Sequence, residues 1–499
     1  MRSFLLSALL LLSCEAFTTA NPDYCSDVRP CADSNSECDM DKHICIDKRT
    51  PRIDKISPFA VSRNGNVEIN LRGKGFARVD KVTIAGIDAQ IKMASENEIT
   101  ILTPAVSGAC GLTEVVIHTL DNLTTSNNKI LRLRANDIKF SVDTNNGALD
   151  PKIEMMVGVK FDALNNNGII LLNDKNAPAV NYAFAKENNT FISGYVGNSR
   201  TPIPLNKIMA AHFIANSPLD VLAIDQSMNY RLWTYSKPGQ MQPYDFKELE
   251  PAAQVPHSDA AVGNFDGNAE MLDRLAFLNQ MNNKPTVTVY KFGTKGEFEL
   301  IGEIPIRTIG KVTSMIAGDL TGDGIADIVL TDNATGTIMI IKNKITESSI
   351  LISEILTNTN NQAQIVDVNL DGRPDVVTYG SGTTSGGSIV IYYNRGSDIF
   401  EKYIVPTDVI STRHLAIADF DCDGLSDFIT YNGMSINWNS NQGDGFSSDR
   451  LSNPMKFNPI KSMTVGRYSD VGNPTPAFAL GESATPTQYS LALLLTEPQ

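Results

Sequence analysis

The chain has 499 residues, 42% hydrophobic and 20% charged, with a net charge of −14. That acidity, with no basic stretch to offset it, excludes a nucleic-acid partner. The length exceeds one ordinary core and predicts two to four domains, and frequent Asn, Gly and Thr clusters without long heptads predict an all-β chain.

At the N-terminus, MRSFLLSALLLLSC places Arg2 ahead of an apolar run from Phe4 to Leu12 that is too short to span a bilayer. It predicts an export signal over 1–20. No later segment is long and apolar enough for a transmembrane helix. Two cleavages fit: TTA ending at Ala20 suits an ordinary small-residue site, with a mature chain starting at Asn21. Alternatively, LLSC ending at Cys14 resembles the lipobox of bacterial lipoproteins, which implies that Cys14 becomes a lipidated first residue.

Cys25, Cys31, Cys38 and Cys45 form a compact set within 21–50. In an exported chain they read as a two-disulfide knot with three possible connectivities. A zinc site is the rival, but the spacing from Cys25 to Cys31 is loose for one. The segment resembles the short Cys-rich stalks that follow lipobox cysteines in some Gram-negative lipoproteins, and also half of an EGF-like module. Cys110 and Cys422 have no evident partner in the sequence, which leaves their state, free or paired, open.

Over 51–134 the chain runs PRIDKISPFAVSRNGNVEINLRGKGFARVDKVTIAG and closes with EVVIHTL at Glu114–Leu120. Alternation puts Val67, Ile69 and Leu71 on a core face, while Gly73 and Gly75 serve a turn or bulge. This stretch resembles an IPT/TIG domain through Pro51, Ile53, Ser57-Pro58, Gly65, Gly73, Gly75, Phe76, Val82–Gly86 and Pro104. The resemblance implies an immunoglobulin-like β-sandwich acting as spacer or binding module.

Within 135–499, three stretches share the pattern D-x-[DNT]-x-D-G-x-x-D: DLTGDGIAD at Asp319–Asp327, DVNLDGRPD at Asp367–Asp375 and DFDCDGLSD at Asp419–Asp427. Oxygen side chains at positions 1, 3, 5 and 9 of a tight turn can converge on one hard cation, and the Gly at position 6 lets the backbone bend. An EF-hand needs Glu at position 12, whereas these loops have Leu330, Thr378 and Thr430 between β-branched flanks, so β-hairpins are predicted. Asx-turns that merely close the hairpins are the alternative, but four aligned oxygens crowd negative charge without a cation. Weaker copies start at Lys160, His212, Asn264 and Arg467, giving spacings of 52, 52, 55, 48, 52 and 48 residues. At His212 the ninth-position carboxylate survives as Asp220. At Asn264 an extra residue precedes Asp273, which leaves a cation there open.

Four short strands in about fifty residues is the size of a propeller blade, and seven such units can close without long exposed edges. The region resembles the FG-GAP/VCBS repeats of integrin α-subunit heads and many secreted proteins. The resemblance implies a seven-bladed β-propeller over 135–499 holding about three structural Ca2+ ions. Their ligands would be Asp319, Thr321, Asp323 and Asp327; Asp367, Asn369, Asp371 and Asp375; and Asp419, Asp421, Asp423 and Asp427.

No G-x-S-x-G, H-E-x-x-H or phosphate-binding Gly loop occurs, and His43, His118, His212, His257 and His414 are scattered, so no enzyme is expected. The expectation is an extracytoplasmic calcium-binding adhesion or protein-interaction protein. It would be a lipoprotein at the outer membrane or cell surface, or alternatively secreted, and would recognise a protein or glycan ligand with one propeller face. A lectin-like propeller and a polysaccharide-active enzyme are the alternatives. Trp233 and Trp438 are the only tryptophans, few for a lectin with an aromatic platform in each repeat. Sequons at Asn122, Asn188 and Asn333 and the flexible tract Ser381–Gly387 complete the features noted.

Overall fold

The computed structural model describes residues 26, 31, 36–39, 43–47, 49–107, 110–125, 129–134, 139–143, 153–160, 167–173, 179–186, 190–198, 205–215, 217, 219–225, 230–237, 245–249, 259–267, 272–279, 285–293, 297–306, 312–332, 337–342, 354–355, 359–381, 388–397, 399–407, 411–443, 445–450, 460–466, 475–480 and 491–497. The export signal, Cys14, Cys25, the sequons at Asn188 and Asn333, the tract after Ser381 and the degenerate loop at Arg467 lie outside them, as does nearly all of the loop following Lys160. Among the described residues every named element is a β-strand, and no helix is long and apolar enough to cross a membrane. The chain divides into two compact units, Met1–Leu133 and Arg134–Gln499.

In the first unit a hairpin pairs Ser36–Asp39 with Ile44–Asp47, and a Cys31–Cys45 disulfide ties it to the preceding chain. Cys38 is also disulfide-bonded. So is Cys110, whose state the sequence left open; spacing along a chain does not reveal which cysteines approach one another in the fold.

Eight strands follow, in the order Arg52–Ser57, Glu68–Lys74, Glu98–Leu102, Ile87–Ala94, Val79–Ile84, Gly111–Thr119, Lys129–Arg134 and Ala60–Ser62. Ile69, Leu71, Val82, Ile84, Ile99, Ile101, Val115 and Ile117 form their shared core, with Val67 packed at its margin. The two glycines noted in sequence separate in role. Gly75 has a φ of +75°, in the left-handed region that favours glycine. Gly73 lies within a strand, where a Cβ would collide with the Arg52 carbonyl oxygen.

The second unit contains, among the described residues, seven four-stranded antiparallel sheets. The first six span 153–198, 205–249, 259–305, 312–355, 359–404 and 414–450, each with its strands adjacent in chain order. The seventh combines Ile460–Gly466, Thr475–Leu480 and Leu491–Glu497 with Lys139–Asp143, the first strand of the unit, which pairs with the last. All seven loop positions read from the sequence fall between the first and second strands of a sheet.

The second strands read as continuous apolar runs, and Asp327–Asp332 and Asp427–Tyr431 are buried at every residue. Both of their faces are covered, which explains the lack of alternation. Ala276, Leu278, Val287 and Val289 of the third sheet, for example, pack against Met315, Ile328, Leu330 and Met339 of the fourth. Polar contacts join the first strands of successive sheets. Lys207 Nζ donates to Asp259 Oδ1 at 2.6 Å and the Met315 N–H to Asp259 Oδ2 at 2.7 Å. Gln364 Nε2 donates to the Leu415 carbonyl at 3.0 Å. The Gly158 N–H donates to Thr464 Oγ1 at 2.9 Å, joining the first sheet to the seventh.

Candidate metal centre

The three full loops share one backbone. Gly324, Gly372 and Gly424 at position 6 have φ of +82°, +84° and +86°, and position 4 is also left-handed at Gly322, Leu370 and Cys422. The position-6 N–H donates to the first carboxylate in each: Gly324 to Asp319 at 2.8 Å, Gly372 to Asp367 at 2.9 Å and Gly424 to Asp419 at 2.8 Å. The position-7 N–H donates to the fifth carboxylate: Ile325 to Asp323, Arg373 to Asp371 and Leu425 to Asp423, at 2.9, 3.0 and 2.7 Å. Side-chain turns of this kind wrap each loop.

The third loop brings its acids closest. Asp419, Asp421 and Asp423 each offer an oxygen within 4.8 Å of the others. Asp421 and Asp423 are fully buried, and Asp419 Oδ1 is buried without a hydrogen-bond partner. Burial and the neighbouring Asp421 charge push Asp419 up to about 6 and Asp423 up to about 8. Burial likewise raises Asp421 and Asp427. Hard oxygens packed this closely out of water can hold a divalent cation.

Residues 264–330 and 367–430 match the FG-GAP-like repeat family, and residues 51–130 match the IPT/TIG domain family. The chain carries FG-GAP-like repeats and an IPT/TIG domain. No curated protein matches it. Solved structures similar to it include an auxiliary nutrient binding protein from Bacteroides thetaiotaomicron, at 14% identity and a TM-score of 0.35, covering 86% of this chain and 94% of that one. Another, from Bacteroides ovatus, has 12% identity and a TM-score of 0.38 and covers 90% and 98%.

The ninth carboxylate of each FG-GAP loop has a task that the sequence did not reveal. Asp327 Oδ2 accepts the Leu320 and Thr321 N–H groups at 2.8 and 3.2 Å. Asp427 Oδ2 accepts those of Phe420 and Asp421 at 3.1 and 3.3 Å, while its Oδ1 accepts Asn441 N–H at 2.8 Å. Asp375 accepts Val368 N–H at 2.9 Å and Asn394 N–H at 2.8 Å. In the degraded repeat, Asp220 does the same for Phe213 and Ile214 at 2.8 and 3.0 Å. The ninth position therefore clasps the loop whether or not the other acids are present, and Asp427 is not among the three convergent acids of its loop.

The other two full loops are more exposed. Thr321 Oγ1 sits 3.4 Å from Asp319 Oδ1, as its donor. In the middle loop, Asn369 Nδ2 and Arg373 Nη2 donate to Asp371 Oδ2 at 3.1 and 2.7 Å. Slight burial pushes Asp371 up, but the Arg373 N–H, the Asn369 amide and the Arg373 guanidinium outweigh it and hold the carboxyl below its ordinary value. A cation entering there must compete with Arg373.

Asparagines at the ends of third strands connect successive FG-GAP loops. Asn394 Nδ2 donates to the Leu320 carbonyl of the preceding loop at 2.6 Å, and Asn441 Nδ2 to the Val368 carbonyl at 3.2 Å. Both asparagines are buried. Asn441→Ala, which keeps the backbone bond to Asp427, is expected to cost about 1–3 kcal/mol through the orphaned Val368 and Ser426 carbonyls. Urea unfolding checks this.

Among the remaining residues singled out in sequence, His414 stacks on Tyr431 and its Nε2 bonds the Ile460 carbonyl at 3.1 Å, a packing position. His212 donates its backbone N–H to Asp273 Oδ2 at 2.7 Å. Cys422, whose state the sequence left open, is disulfide-bonded. At the Asn264 loop the ninth position is occupied by Arg274, since Arg274 pairs with Gly263 as Asp327 pairs with Gly318. Two extra residues separate it from Asn264, where sequence counting allowed one and aligned Asp273.

The raised carboxyls make stability depend on pH when no cation is bound. The folded chain then keeps protons that the unfolded chain, titrating near 3.8, has released. Calcium-free protein is expected to lose stability as pH rises from about 4 to about 8 and to level off above that. Thermal melts across this window, with and without calcium, check the slope and its suppression by the ion.

Proposed function

We propose that the seven sheets of the second unit are the blades of a closed β-propeller, and that about three Ca2+ ions clamp its FG-GAP loops. The observation that carries this reading is the convergent triad of half-buried Asp419 with fully buried Asp421 and Asp423, whose ionised forms repel one another unless a cation neutralises them. Pairing of the unit's first strand, Lys139–Asp143, with its last, Leu491–Glu497, supports closure, because it completes the seventh sheet from both ends of the repeat region.

The ligands would be Asp319, Thr321 and Asp323 in the first full loop, Asp367, Asn369 and Asp371 in the second, and Asp419, Asp421 and Asp423 in the third. Asp327, Asp375 and Asp427 act as clasps and can complete each shell with a remaining lone pair. Ca2+ when bound supplies charge neutralisation and fixed loop geometry; no chemical transformation is assigned to it.

On this scaffold the function is calcium-dependent recognition of a protein ligand by an extracytoplasmic adhesion or interaction protein, without catalysis. The disulfide of the Cys-rich segment supports an oxidising compartment, and lipidation at Cys14 would tether the chain. The lectin reading is weaker because Trp233 is only 1% exposed and offers no stacking platform. Immobilised full-length protein, probed with cell-surface protein extracts and with a glycan array in calcium and in EGTA, tests the reading. Saturable, calcium-dependent capture of a protein supports it, whereas binding confined to glycans transfers the assignment to a lectin. Metabolic palmitate labelling of the chain and of Cys14→Ala decides the anchor.

A further inference from the structure

The third sheet of the second unit carries an FG-GAP loop that starts at Asn264 and departs from the three full copies in one telling way. Its second strand opens on Arg274, paired with Gly263. The equivalent residue is Asp220, Asp327, Asp375 or Asp427 in the other four sheets whose loops are described, paired with Ala211, Gly318, Val366 and Ala418. A clasping carboxylate has thus been exchanged for a cation.

The described start of the loop, 264–267, follows the full copies. Gly267, at position 4, has a φ of +59°, matching Gly322 at +78°. The Asn264 carbonyl accepts the Ala326 N–H of the next loop at 2.8 Å. Asp266 stands at position 3, where the full loops carry Thr321, Asn369 and Asp421.

Arg274 is 8% exposed. Its Nε donates to Asp266 Oδ2 at 2.9 Å, and its Nη1 lies 3.3 Å from both the Leu272 and Asp273 carbonyls. One guanidinium therefore neutralises the third-position acid and gathers backbone oxygens around itself, as a bound cation would. A planar guanidinium, charged at every accessible pH, serves this role in a buried setting better than a lysine.

We propose that Arg274 is the permanent cation of this loop, so that the third sheet keeps its first hairpin closed without calcium. The comparison rests on reading the three full loops as calcium sites. The geometry fits: a full loop gathers acidic or amide oxygens at positions 1, 3 and 5, whereas here the third-position acid Asp266 and the Leu272 and Asp273 carbonyls gather on one guanidinium. A metal ion and the Arg274 guanidinium would compete for the same oxygen of Asp266, and the guanidinium is covalently attached.

The test combines Asp266→Asn, Arg274→Met and the double variant in the full-length chain, each titrated with Ca2+ by calorimetry and melted in EGTA. Asp266→Asn is expected to bind as many ions as the parent. Arg274→Met, which removes the buried guanidinium bridging Asp266 and the Leu272 and Asp273 carbonyls, is expected to lower the EGTA melting temperature by on the order of 5 °C. The double variant recovers part of that loss, because neither charge is left unpaired. Loss of one bound ion in Asp266→Asn would overturn the proposal, as would additive effects of the two substitutions. If Arg274→Met does not fold, the ion count of Asp266→Asn still decides. Failure of the parent to bind any calcium would instead defeat the reading of the full loops, and the coupling between Asp266 and Arg274 would stand or fall separately.

Discussion

Chelating calcium from the full-length chain is expected to lower the melting temperature of its second unit by on the order of 10 °C. A ligand that binds only the folded state stabilises it by about 2.7 kcal/mol at a hundredfold excess over its dissociation constant, so three such loops supply roughly 8 kcal/mol. Each kcal/mol moves the midpoint by about 2–4 °C in domains of 150–250 residues, and by less in a larger unit. The unit here runs from Arg134 to Gln499. The third loop should account for the largest share, since Asp421 and Asp423 are fully buried while Asp323 and Asp371 are exposed. Differential scanning calorimetry in EGTA and in excess calcium reads the shift directly. A midpoint that ignores calcium would mean that Asp419, Asp421 and Asp423 share protons instead of an ion, and that these loops are ordinary turns.

The second large effect concerns the ninth carboxylate. Asp427→Ala removes the acceptor for the buried N–H groups of Phe420, Asp421 and Asn441. At about 1–3 kcal/mol for each group left unsatisfied, the loss is expected to reach roughly 3–9 kcal/mol in calcium. In EGTA the loss shrinks, because burial and then the Asp421 charge already disfavour an ionised Asp427. Asp220→Ala separates clasp from ligand. Asp220 holds Phe213 and Ile214 in a repeat without a full acid set, and Ser217 Oγ donates to its other oxygen at 2.8 Å. That variant should lose about 2–4 kcal/mol irrespective of calcium. Urea unfolding of both variants is the check. A neutral Asp220→Ala would show that the ninth carboxylate matters only through the metal.

The periodicity of the fold was legible because each repeat places its turn chemistry at the same point, between first and second strands. Even the degraded starts at Lys160 and His212 fall there, although most of their acids are gone. The strand Lys139–Asp143 was not legible: its partner, Leu491–Glu497, is at the far end of the chain, and no local pattern records a pairing of such separation. The acids at positions 1, 3 and 5 could be read from residue type alone. The clasping role of position 9 could not, since a carboxylate saturated by backbone N–H groups and one facing a metal have the same letter. Arg274 was missed for a related reason. Counting from Asn264 aligned Asp273 with the other ninth-position acids, whereas strand register advances the alignment by one residue and changes the sign of the charge. The asparagines at 394 and 441 had a findable signal: each ends a third strand two residues before a glycine, in sheets whose loops keep their acids.

The most direct measurement is isothermal titration calorimetry of calcium into the full-length, calcium-free chain, alongside Asp423→Asn. The account predicts about three ions bound, and loss of the tightest one in the variant. Absence of any calcium-dependent heat, or an Asp423→Asn titration identical to that of the parent, would contradict it.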